Sequence, residues 1–138
     1  MSSFSIDIRG DVAGKMDKLK DNVLQVVEDE LNAFGLETVA MAKTLVPVDD
    51  GFLRNSITFD KFPLSVEIVV ASNYAAYVEF GTGVFAAAYV PTLPPELQEY
   101  AKRFFINGKG RIPAKPFLFP ALEVNKKILI DNLKAVLK

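Results

Sequence analysis

The chain has 138 residues, half of them hydrophobic, which is enough for one domain with a real core. Its 16 basic and 17 acidic side chains leave a net charge of −1, which argues against a protein whose main affinity comes from neutralising phosphates. Cysteine and histidine are both absent, which removes disulfides, thiolate nucleophiles, Cys-based metal sites and the commonest general base.

The near-neutral total hides an asymmetry. Residues 1–83 carry 7 basic and 13 acidic side chains, net −6, and residues 84–138 carry 9 and 4, net +5. Unlike halves can be satisfied within one fold or between neighbouring copies, and head-to-tail contacts close into rings when the rotation per subunit divides a full turn. The N-terminus has neither a basic nor an apolar leader-like region, and no apolar run approaches the roughly 18 residues a membrane span needs, so a soluble, unprocessed chain is expected.

In chain order, Phe4, Ile6 and Ile8 alternate with polar residues, the period-two signal of a short edge strand. From Lys15 to Leu45, apolar residues including Val23, Val27, Leu31, Phe34, Met41 and Ala42 recur at three- and four-residue steps, predicting a long amphipathic helix. Its solvated face carries Lys18, Lys20, Asp21, Glu28, Asp29 and Glu37, and Gly35 is the candidate position for a bend. Pro47 ends the helix. Asp49-Asp50-Gly51 supplies turn chemistry, with Asp49 read as an Asx-turn or N-cap acceptor.

Residues 56–60 and 65–71 read as two strands of an antiparallel hairpin joined by Lys61-Phe62-Pro63-Leu64. Residues 73–80 fit either a short helix or a third strand, ended by Gly81-Thr82-Gly83. Residues 84–111 read as an inserted loop carrying one short helix that starts at Pro94-Pro95-Glu96, with a turn at Asn107-Gly108. Phe117-Leu118-Phe119 reads as extended, and Pro120 as the first residue of a final amphipathic helix. The predicted fold is α+β: a long N-terminal helix and a C-terminal helix packed on a small, mainly antiparallel sheet.

Catalysis would have to rest on carboxylates, Lys, Tyr or Ser. The sharpest enzymatic alternative is a metal-dependent hydrolase using Asp49, Asp50 and Glu79, acids in glycine-bounded turns. Against it, Asp49 has its capping role and Glu79 a salt bridge to Arg54. A second alternative is a single-strand nucleic-acid-binding module, since Phe80, Phe85, Tyr89, Phe104, Phe105, Phe117 and Phe119 lie among Lys102, Arg103, Lys109, Arg111 and Lys115. Subunit contact explains those aromatics equally well. No catalytic residue, cofactor or metal site is assigned.

Three blocks then stand out. Val46-Pro47-Val48-Asp49-Asp50-Gly51-Phe52-Leu53-Arg54-Asn55-Ser56-Ile57 is similar to "P-V-D-T-G-x-L-R-x-S-I", with Asp50 in place of Thr. Tyr74-Ala75-Ala76-Tyr77-Val78-Glu79-Phe80-Gly81-Thr82 matches "Y-A-x-Y-V-E-F-G-T". Pro113-Ala114-Lys115-Pro116-Phe117-Leu118-Phe119-Pro120-Ala121-Leu122 resembles "A-R-P-F-L-R-P-A-L", with Lys115 and Phe119 where Arg is usual. In this order the blocks resemble the head-tail connector, or neck and tail-completion, family of long-tailed phages.

The resemblance implies a single connector-like domain over 1–138 and a non-enzymatic virion protein, assembled in the host bacterial cytoplasm. It would form a homo-oligomeric ring between portal or adaptor and tail tube, touching other neck proteins. Genome DNA would pass nearby without specific binding, and no membrane is involved. Structural or interface roles are expected at Asp49, Gly51, Leu53, Arg54, Tyr74, Tyr77, Glu79, Phe80, Gly81, Phe85, Tyr89, Phe104, Phe105, Phe117 and Leu118. Asp49, Arg54 and Glu79 are expected to form a charge and turn network that positions residues 74–82.

Overall fold

A computed structural model of the chain describes residues 2–7, 21–47, 49–101 and 111–136. Expectations on Ile8, on the first turns of the long helix, on Phe104 and Phe105, and on the Asn107-Gly108 turn lie outside these residues. The elements are β1 (Ser2–Asp7), α1 (Asp21–Leu45), α2 (Gly51–Asn55), β2 (Ile57–Phe62), β3 (Ser65–Val70), α3 (Ala75–Phe80), α4 (Gly83–Tyr89), α5 (Pro95–Ala101) and α6 (Leu118–Val136), with a 3-10 turn at Val90–Thr92.

The sheet has the order β1-β3-β2 and is antiparallel throughout. β1 is therefore an edge strand, and β2 and β3 form the hairpin that the alternation predicts. α1 packs across β2 and β3, and α6 packs along α1. One core joins the α1 stripe Val27, Leu31, Phe34 and Ala42, with Val46 just beyond the helix, to Val66, Ile68 and Val70 of β3 and to Leu118, Ala121, Leu129 and Leu133 of α6. The α+β architecture is the one expected. Each large apolar side chain fully withdrawn from water contributes about 1.5–3 kcal/mol, so packing outweighs the roughly 1 kcal/mol that Gly35 costs α1.

Gly35 has a positive reason to be glycine. α1 runs unbroken through it, and a Cβ there would fall 2.5 Å from Cδ2 of Phe59 on β2. The aromatic ring lies flush on the helix backbone, in space that only a missing side chain provides.

The hairpin turn is unusual. Pro63 presets its own φ, but Leu64 follows at φ 58°, a left-handed conformation that few non-glycine residues adopt. Two contacts hold it. The Leu64 side chain is 6 % exposed, within the core, and its amide donates to Glu28 Oε1 of α1 at 2.9 Å. Glu28 Oε2 also meets Lys61 Nζ at 3.2 Å. Glu28, placed by periodicity on the solvated face, thus ties helix to hairpin.

Three features differ from expectation. The stretch after Asp50 is helical rather than a plain turn, and the described residues of the insert carry two helices, α4 and α5, rather than one. α6 begins at Leu118, so Leu118 and Phe119 are helical and not extended, and Pro120 is the third helical residue. Its missing amide is harmless there, because first-turn amides have no partner within the helix.

Candidate functional site

The three sequence blocks meet around α3. In the first, Asp50, not Asp49, caps α2: its Oδ1 accepts from the Leu53 amide at 2.9 Å, a role that Thr also fills well. The same oxygen accepts from the Tyr74 hydroxyl at 2.7 Å. The Phe52 and Tyr74 rings stack with centroids 6.3 Å apart. The hydrogen bond to Asp50, with some desolvation and the Asp50 charge, pushes the Tyr74 phenol above its ordinary value. Leu53 is fully buried and anchors α2. Arg54 donates from Nε to the Lys43 carbonyl at 3.2 Å, pinning α2 to the end of α1. Asp49 is exposed, and a Cβ on Gly51 would meet nothing within 4 Å.

The second block is the helical alternative, α3, and its decisive residue is Glu79. Only 3 % exposed, Glu79 accepts with Oε2 from the amides of Phe117 at 2.8 Å and Leu118 at 2.9 Å, and with Oε1 from the Phe119 amide at 2.8 Å. These amides stand at the start of α6, where helix geometry leaves donors unpartnered and the dipole favours an anion. Burial pushes the carboxyl above its usual range, against the pull of the three amides. The expected salt bridge to Arg54 is therefore corrected: the carboxylate is committed to α6, because an anion this deep needs several donors to offset its lost hydration.

Three further bonds lock the same two blocks. Thr82 N donates to the Ile112 carbonyl and Ile112 N to Thr82 Oγ1, both at 2.9 Å, and Lys115 N donates to the Val78 carbonyl at 2.8 Å. Between them Gly81 sits at φ 77° and ψ −177°, and a Cβ there would fall 2.8 Å from the Ala114 amide nitrogen. Both the backbone angles and the close approach require glycine.

The insert has its own small core, formed by Phe80, Ala86, Val90, Leu93 and Ala101 with Tyr89, Leu97 and Tyr100 against it. Burial, followed by the charges of Glu79 and Glu123, pushes Tyr89 up to about 12. Val84 and Phe85 stay outside this core, 71 % and 40 % exposed, and Tyr77 is also partly exposed, at 36 %.

Neither alternative gathers its residues. Asp50 and Glu79 are turned to backbone amides and Asp49 lies in solvent, and among the described residues no group of three or more acids could hold a metal ion. Phe117, a proposed base platform, is 1 % exposed. Arg111 and Lys115 are exposed, whereas Lys102, Arg103, Phe104, Phe105 and Lys109 lie outside the described residues. Among the described residues, no helix is long and apolar enough to cross a membrane.

The family model described as "Bacteriophage HK97-gp10, putative tail-component" matches residues 10–81, which is 72 of the 138 residues. The chain belongs to this HK97-gp10-like family. The match spans the first block and the second as far as Gly81, that is, α1, the hairpin and α3. Searches of curated proteins and of solved structures gave no match. As an HK97-gp10-like chain, this is a structural tail component of a bacteriophage.

Proposed function

We propose that this tail component works at the phage neck, as a head-tail joining or tail-completion protein whose copies form a ring between portal or adaptor and tail tube. The observation that carries the reading is the use made of Glu79. In the block closest to the family motif, the acid best placed for chemistry is buried and occupied in holding α6, so the motif builds a scaffold rather than a reaction centre.

The whole chain, 1–138, acts as a single connector-like domain with a structural, non-catalytic role. A net charge of −1 suits a conduit wall, since each neutralised phosphate would add a salt-dependent brake on passing DNA. The insert, whose Val84 and Phe85 remain exposed, faces a neighbouring copy or another neck protein.

Deleting the gene from its phage and imaging the products tests this reading. Filled heads and complete tails that fail to join are expected, and restoring the chain in trans should rejoin them. Normal joined virions from the deletion would sink it. Size-exclusion chromatography with light scattering on the purified chain should show a ring-sized species that grows with concentration.

A further inference from the structure

Exposed apolar side chains gather at the two ends of α3, and the two ends carry opposite charge. At its N-terminal end Phe52 is 67 % exposed and stacks on Tyr74, beside Asp49 and Asp50. At its C-terminal end Val84, Phe85 and Ile112 are exposed, beside Arg111 and Lys115, which are exposed as well. The Thr82–Ile112 and Val78–Lys115 bonds bring the two chain segments that carry these residues side by side. Six helical residues, about 9 Å at the usual rise, separate the ends.

Single exposed apolar side chains are ordinary, but clusters rimmed by charge mark contact surfaces. One end is an aromatic knob with two carboxylates, and the other an apolar seat with two cations. Being different surfaces, they can join copies head to tail, leaving one end of each kind open for the next copy.

We infer that the Phe52–Tyr74 end of α3 on one copy docks on the Val84–Ile112 end of a second copy, with Asp49 and Asp50 facing Arg111 and Lys115. This rests on the ring reading above and names its repeating contact. The charges set orientation and encounter, and the apolar groups supply the buried area.

The absence of cysteine makes the test direct. In the full chain, Phe52→Cys and Val84→Cys variants should each stay monomeric when oxidised alone and give a disulfide-linked dimer when mixed, while the double variant gives a ladder of dimer, trimer and beyond. Lys115→Glu should raise the concentration needed for assembly by about tenfold or more, and adding Asp49→Lys to the same chain should bring it back. A double variant that stops at the dimer means a closed two-fold pairing and overturns the contact. Wild-type rings with no Phe52–Val84 cross-link leave the ring reading standing and overturn this contact alone. A chain that is monomeric at every concentration and gives no ladder overturns both.

Discussion

Glu79 and Leu118 are 39 residues apart in sequence, and the Glu79 carboxylate accepts the Leu118 amide at 2.9 Å. This remote side chain performs the N-cap function for α6 that Phe117, which has no side-chain oxygen, cannot perform locally. The clamp also joins the most family-like block to the last helix, so the geometry of α6 depends on α3.

Glu79→Ala should therefore cost about 2–4 kcal/mol, from lost capping and amides left without an acceptor. Urea denaturation measures it. An unchanged midpoint would show that α6 is held by its apolar face alone.

The same residue gives a pH signature. Burial holds the Glu79 carboxyl above its ordinary value of 4.5, so the folded chain keeps this proton to higher pH than the unfolded chain does. Stability from this group is fully present below the unfolded value and is lost as pH rises through the folded one. The stability difference between wild type and Glu79→Gln should accordingly shrink from about pH 4 upward. A difference that grows with pH would mean that the three amides outweigh burial.

Gly81 and Gly51 should respond oppositely to alanine. Gly81→Ala puts a side chain at φ 77°, 2.8 Å from the Ala114 nitrogen, and should cost at least about 1–3 kcal/mol from backbone strain alone. Gly51→Ala enters open space and should be neutral or stabilising by up to about 1 kcal/mol. Thermal melts of the two variants make the comparison.

Gly35 and Phe59 form a size-matched pair. Gly35→Ala should destabilise by about 1–3 kcal/mol through overpacking, and a smaller residue in Phe59→Leu should recover part of that loss when both changes are combined. A double-mutant cycle reads the coupling. Strictly additive effects would deny the contact.

Tyr74 should titrate above 10, held up first by its hydrogen bond to Asp50. Asp50→Asn keeps a capping side chain but removes the charge, and should move the phenol back toward its ordinary value. Ultraviolet titration of the Asp50→Asn chain against wild type checks this. Tyr89, expected at about 12, serves as an internal reference.

The two long helices α1 and α6 were legible because their patterns repeat over 25 and 19 residues, and the six-residue strands because a period of two completes several repeats even in so short a run. α2 and α4 were not, because five and seven residues are too few to fix a period. The cap on α2 is displaced by one residue, since Asp49 and Asp50 are chemically alike and only the backbone decides between them. Glu79 was singled out, but with the wrong partner, because a contact across 38 to 40 residues leaves no trace in local spacing. One signal was available: α6 starts after Pro116-Phe117 with no Ser, Thr, Asp or Asn to cap it, so its first amides needed an acceptor from elsewhere. Gly35 and Leu64 also depend on distant neighbours, Phe59 and Glu28.

The bonds between Thr82 and Ile112 and between Val78 and Lys115 close the insert at its neck, and Ala101 is wholly buried on the other flank. With both banks anchored, the insert depends on the same bonds that hold α3 against the chain entering α6, so loosening them would free the insert and the last helix together.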